Sequence, residues 1–359
     1  MVSGTTEKAI RRIMAGQNLL GKLSDFMDKE NVIRASAIVS DSDWSDIFPN
    51  AASIYTYDNF LQAMAKFPKF CGEAKNATDE ASLQNACKIE LATLLAHMKH
   101  TNTGLQKVRD GCAEAGGAVC KYQNYSPIYD YKADQSYYGR GALLVPDSRF
   151  YGALGSIAFD GAANDHEVLL ENPDLVATNG RLAFLSAFKF YMQPTSHSIP
   201  TMHDSILGFY EPSTQGEGSG LCTGCFGTTI NIINGFEECR YWVNSPDAAT
   251  RASYYTEFCD QFGAECPMGN DQELKCKDMD RFNYNGTGAS FSHYITPHWT
   301  RNKCYFVNWD TGYSVYNTND YKRCVCEKWD SRNSRCLDID QGEATPDEIT
   351  DPDGDGDQD

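Results

Sequence analysis

Positive charge is scarce in this chain: 31 Lys and Arg face 49 Asp and Glu over 359 residues, a net charge of −18. Phosphate backbones are bound by clustered Lys and Arg, so no nucleic-acid partner is expected. Long apolar runs are missing as well. No stretch reaches the roughly 18 apolar residues of a membrane-spanning helix, and the start carries no apolar signal core. Residues 8–22 instead form an amphipathic stretch with Lys8, Arg11, Arg12 and Lys22. Metal-binding patterns are thin. Cys222-Thr-Gly-Cys225 and Cys324-Val-Cys326 lack a matching second C-x-x-C and His pair, so neither a metal nor another cofactor is expected.

Cysteine, by contrast, is abundant. Fourteen cysteines in 359 residues exceed what a reducing compartment favours, and the even number suggests seven disulfides. Three sequons, at Asn76, Asn124 and Asn285, agree with secretion, the one at Asn124 weakened by Pro127. The expected location is therefore extracellular, with a signal peptide removed before this numbering. Hydrophobic content of 41% and aromatic content of 12% are globular values. The length accommodates one large domain or two.

Residues 1–43 read as a polar helical extension, with Ile10, Ile13, Met14, Leu19, Leu20, Leu23 and Phe26 at helical spacing. A linker-like SDSDWSDIFPNAAS segment follows. Helical patterns recur at about 57–67, 84–100, 181–192 and 247–261, separated by long Gly-, Ser- and Pro-bearing loops. His203-Asp204 sits at a helix start, where Asp suits the amide-rich end. Residues 269–337 read as a Cys-rich module with a β-hairpin at 305–316 and Cys276, Cys304, Cys324, Cys326 and Cys336. Residues 338–359 form an acidic tail expected to be disordered. Its Asp351, Asp353, Asp355 and Gly356 copy only the first half of a calcium loop, which favours a solvated tail.

Six segments appear in a telling order: IYTYDNFLQAMAKFPKF at 54–70, ELATLLAHMKH at 90–100, YYGRG at 137–141, NPDLVAT at 172–178, MHDSILGFYEPS at 202–213 and INIINGFEEC at 230–239. Together they resemble glycoside hydrolase family 19, the plant-type and bacterial chitinases, over residues 44–268. The resemblance implies a mainly α, lysozyme-like, two-lobed fold with a long cleft, and chitin or a related N-acetylglucosamine polymer as partner.

The same resemblance exposes a gap. Family members carry approximately H-E-T-G-G-L-x-x-x-x-E where this chain reads HTNTGLQKVRD at 100–110. Inverting glycosidases need a general acid and a general base about 6.5–9.5 Å apart. The acid falls on Thr101, whose hydroxyl cannot protonate a leaving sugar oxygen, a function worth ~10²–10⁴-fold. The ungapped register places the base on Asp110; the plant-branch spacing, four after a cysteine, would place it on Asn124. Where the family has polar sugar contacts, ALLVPDSRFYG at 142–152 has Leu144, Pro146 and Phe150. Tyr138, Arg140 and Asn231 are the substrate-binding candidates that remain, with Glu238 and Arg251 as a supporting charge network that has an architectural role besides.

Three readings follow. The first is a chitinase-like protein that binds the polymer with hydrolysis lost or strongly reduced. The second is an active inverting endochitinase using Asp110 and a non-standard acid. The third is an extracellular structural protein without carbohydrate binding, whose tail and C-terminal module contact matrix partners.

Overall fold

A computed structural model describes residues 26–280 and 282, apart from 76, 114–119, 125–128, 160–164, 194–198, 211, 213–216, 219 and 240–244. The amphipathic 8–22 stretch, the 305–316 hairpin, the last four cysteines and the acidic tail lie outside the described residues.

Twelve helices are present among the described residues, with no strand and only two isolated bridges, Arg109 to Arg140 and Arg140 to Val145. They are α1 Glu30–Ser36, α2 Asp41–Ile47, α3 Tyr57–Met64, α4 Glu80–Thr101, α5 Ser148–Ala158, α6 Asp165–Glu171, α7 Leu175–Thr178, α8 Gly180–Met192, α9 Met202–Ile206, α10 Phe226–Glu238, α11 Pro246–Phe262 and α12 Asp271–Lys275. No described helix is long and apolar enough to cross a membrane.

The 22-residue α4 is the axis. Asp79 caps it by accepting from the Ser82 N–H, and Lys99 and His100 occupy the negative end of its dipole. It is apolar on nearly every side, with Leu91, Leu94, Leu95 and Met98 fully buried, because helices cover it all round. α11 packs along one side; α1, α9 and the rest of the core close the others. Pro246 at the start of α11 and left-handed Gly263 (φ 58°) at its end fix that helix's length.

The expected linker at 40–53 is corrected: it contains α2. A Ser40–Asp43 capping box starts the helix. Trp44 is buried among Phe48, Tyr57, Phe60 and Phe184, with ring centroids 4.8–5.7 Å away. One aromatic anchor outweighs five short polar residues. Residues 26–43 likewise join the common core through Phe26, Val32, Ala35 and Val39.

Five disulfides, 71–87, 112–120, 222–225, 239–276 and 259–266, pair ten of the fourteen cysteines. Cys222 and Cys225 bond to one another. Cys276, read from sequence with the C-terminal module, is tied to Cys239 at the end of α10.

His203 on α9 is fully buried between two carboxylates, its Nδ1 2.6 Å from Glu90 and its Nε2 3.0 Å from Glu73. The side chain that caps α9 is Thr201, with Asp204 in the first turn. Burial alone would lower the His203 pKa; Glu90 and Glu73 override it and raise it to about 10. A raised histidine stabilises fully below its unfolded value near 6.5, and that contribution is lost progressively as pH climbs toward 10. Lys189, lowered by burial to about 8, works in the opposite sense above that value. Stability should therefore fall by ~1–2 kcal/mol between pH 6.5 and 8, read as the urea midpoint. A rising midpoint over that window would contradict a protonated His203. Glu90→Gln, which removes the charge opposite His203, should cost about 3–5 kcal/mol.

Candidate functional site

The end of α4 meets α10 and α11 at one guanidinium. Arg251, 3% exposed, donates from Nε and Nη2 to the two Glu238 oxygens at 2.9 and 3.1 Å. Its Nη1 donates to Thr101 Oγ1 at 2.9 Å and lies 3.3 Å from His97 Nδ1. Asn234 interrupts the helical dihedrals of α10 and donates to Glu238 Oε1 at 2.9 Å. The Glu238–Arg251 network read from sequence is thus formed, with Thr101 at its outer edge.

His97 completes the network. The Thr229 hydroxyl donates to the Phe226 carbonyl at 2.7 Å and so accepts from His97 Nε2 at 2.8 Å. That leaves Nδ1 as the acceptor facing Arg251. Burial, then Arg251 and His100, depress the His97 pKa far below its usual range, so the ring is neutral.

After Thr101 the chain turns through three consecutive left-handed residues, Thr103, Gly104 and Leu105, with φ of 51°, 72° and 61°. Two of them carry side chains, a strain of about 1–3 kcal/mol each that neighbouring bonds must hold. Fully buried Asn102 holds one side, donating to Tyr55 Oη and the Gly141 carbonyl and accepting from Lys107 N–H. The Leu105 carbonyl takes the Ala52 N–H on the other.

This turn delivers Asp110 to the YYGRG segment. Its Oδ2 accepts from Gly139 N–H at 2.7 Å and its Oδ1 from Cys112 N–H at 2.9 Å. A side chain at Gly139 would collide with the Leu144 carbonyl at 2.2 Å and Asp110 Oδ2 at 2.8 Å, so glycine is required there by close approach. Asp110 is a brace between two loops as well as the candidate base.

Tyr138 and Arg140 come together, the guanidinium 3.7 Å from the ring centroid. Arg140 is 3% exposed; Nε donates to Asp174 at 2.6 Å, and Nη1 to the Ser136 and Tyr138 carbonyls and Tyr151 Oη. Asp174, which sequence reading did not single out, also binds Arg109 at 2.9 Å. Burial would raise its pKa, but the two arginines pull it below the usual range. Asn231, 4% exposed, directs its amide at the chain: Nδ2 donates to the Asp280 carbonyl and Oδ1 faces the Phe282 N–H.

Leu144 and Asp147 adopt positive φ (51° and 103°), and Phe150 packs at 4.5 Å against the ammonium of Lys189. Lys189 was missed because it sits mid-way in the apolar pattern of α8, where one lysine looks like a surface position.

Residues 43–276 match the pattern of the class I chitinases, glycoside hydrolase family 19. The chain belongs to this family. It is 33% identical over 242 residues to endochitinase 1 of Theobroma cacao, covering 65% of this chain and 68% of that protein. Endochitinase A2 of Pisum sativum is 34% identical over 236 residues, covering 64% and 66%. Among solved structures, chitinase C from Streptomyces griseus HUT6037 superposes with a TM-score of 0.50 at 25% identity, covering 65% of this chain and 79% of that one. A bacterial family 19 chitinase superposes with the same score at 27% identity, covering 65% and 98%. The mainly helical, lysozyme-like family 19 fold is the fold of this chain.

The brace has a measurable cost. Asp110→Ala leaves two N–H groups without their acceptor and should destabilise by about 2–4 kcal/mol. Asp110→Asn keeps one oxygen and should lose roughly half as much. Equal, near-zero losses in urea denaturation would show that Asp110 braces nothing.

Proposed function

We propose that this family 19 member is a chitinase-like protein that binds chitin or a related N-acetylglucosamine polymer outside the cell, with hydrolysis lost or strongly reduced. The observation that carries the reading is the Thr101 hydroxyl, which accepts from Arg251 at the register of the family's general acid. A threonine there accepts a hydrogen bond and supplies no proton to a leaving oxygen. Glu238 is no substitute, since both of its oxygens bind Arg251. The apolar Leu144, Pro146 and Phe150 support the same direction, because a sugar subsite stripped of hydrogen-bond partners loses discrimination. Five disulfides support an oxidising compartment.

An active inverting enzyme built on Asp110 would need a second carboxyl group about 6.5–9.5 Å away across the bond to be cut. Asp110 itself is held by two backbone N–H groups, which argues against it as a free base.

The test pairs co-sedimentation on colloidal chitin with release of soluble reducing ends. The chain should sediment with chitin and release no fragments at ordinary enzyme levels. Thr101→Glu should raise any hydrolysis by ~10²–10⁴-fold. Efficient release by the unaltered chain would overturn the reading; failure to sediment together with no turnover would favour a structural role without sugar binding.

A further inference from the structure

The Cys222-Thr-Gly-Cys225 segment closes a disulfide at the start of α10. Among the described residues no third His, Cys, Asp or Glu joins the pair in a metal-binding group. The chemistry open to it is that of the two sulfurs.

Little of the surrounding structure depends on this bond. The stabilisation that a disulfide gives by constraining the unfolded chain grows with the loop it closes. Cys222 and Cys225 are 3 residues apart, against 7, 8, 16 and 37 for the other four described pairs. Other contacts already fix the start of α10. The Gly224 N–H donates to the Ser205 carbonyl at 3.0 Å, and Thr228 Oγ1 donates to the Cys222 carbonyl at 3.3 Å. Phe226 is buried, with its ring 4.2 Å from that of Tyr255 and 5.0 Å from that of His97. Gly227 approaches α12 so closely that a Cβ there would lie 2.5 Å from the Gln272 carbonyl. None of these contacts passes through the S–S bond.

Position gives the two sulfurs unequal chemistry. Cys225 is the N-cap of the 13-residue α10, where unpaired N–H groups and the helix dipole favour a thiolate. No acidic residue occupies the first turn, and no side chain caps it. Cys222 lies outside the helix and has no such stabilisation. Both cysteines are half-buried and Thr223 between them is exposed, which leaves a small thiol a route to the bond.

We propose that Cys222–Cys225 is an exchangeable disulfide that reacts with a low-molecular-weight thiol couple, with Cys225 as the leaving sulfur. A small thiolate attacks Cys222 Sγ, the bond between the two Sγ atoms breaks, and its electron pair leaves on Cys225 Sγ. A second thiolate then attacks the outer sulfur of the mixed disulfide and releases the Cys222 thiolate. The protein gains two electrons, and two small thiols are oxidised to one disulfide. Their protons pass to the protein sulfurs or to water, and the reverse sequence restores the bond. This chemistry is independent of the chitin reading.

The test equilibrates the folded full chain in mixtures of reduced and oxidised glutathione, followed by alkylation and peptide mass mapping. Cys222 and Cys225 should become labelled at ratios where the other four described pairs stay closed. The pair should reclose on return to oxidised glutathione, with the urea midpoint nearly unmoved throughout. Opening only together with the other pairs, or only in urea, overturns the proposal. Glutathione mixed disulfides on single variants test the polarity. Free glutathione should release Cys225 in Cys222→Ser roughly three-fold or more faster than Cys222 in Cys225→Ser. Equal or inverted rates overturn Cys225 as the leaving sulfur.

Discussion

The guanidinium of Arg251 is the constraint around which the site is arranged. It is nearly inaccessible to water, so every N–H it carries must find an acceptor. Glu238 supplies two, Thr101 one and the His97 ring another. Each of those acceptors is then committed: His97 to one tautomer, Glu238 to an Asn234 kink, Thr101 to a fixed hydroxyl. Removing the arginine would strand a buried carboxylate at a cost of several kcal/mol. That cost alone is enough to keep the pair whether or not the chemistry beside it is retained. An intact charge network is therefore no sign of an intact catalyst.

The same logic applies to Asp110 and Arg140. Both sit where the family resemblance directs attention to sugar, and both are fully engaged with the protein. Asp110 joins Cys112 and Gly139; Arg140 joins Asp174, Tyr138 and Tyr151. Side chains that fasten loops around a cleft are held by selection for folding as well as for function. The substitutions on which the proposed function rests have partners of their own: Thr101 accepts from Arg251, and Phe150 packs on Lys189 and Phe190.

Much of this was legible in the sequence, and the reasons for the rest are specific. Helices α3, α4, α8 and α11 announce themselves through apolar periodicity and end signals, and their observed bounds, Glu80–Thr101 for α4 for example, differ from the expected ones by a turn or less. α2 was hidden because five of its seven residues are Asp or Ser and its single Trp makes contacts far along the chain. α5 was missed because the 142–152 stretch was read only for its sugar-contact positions. At the site, Thr101, Glu238 and Arg251 were visible because they lie within ordered motifs. The pairings of Asp174, Asn102 and His203 were not, because Arg140, Gly141, Glu90 and Glu73 lie 34–130 residues away from them, and a single sequence carries no record of such contacts. Lys189 was invisible for a different reason: nothing local shows that its side of α8 faces Phe150.

Binding and bond cleavage make different demands on a cleft, which is why one can be lost without the other. Cleavage requires groups that stabilise the transition state more than the bound polymer. It fails when a single carboxyl is replaced. Binding draws on many weaker contacts over a long surface and declines gradually as they are lost. On the function proposed above, a chain that keeps the helical frame and a network of braced loops, with Thr101 where a proton donor is needed, would bind the polymer without cleaving it. The strained turn at Thr103–Leu105 belongs to this argument. Its left-handed backbone persists although Thr103 stands where the family motif has glycine, and full burial of Leu105 offsets part of the strain. The turn is maintained by packing and by the hydrogen bonds of Asn102. Its conformation has a reason to survive that does not pass through hydrolysis.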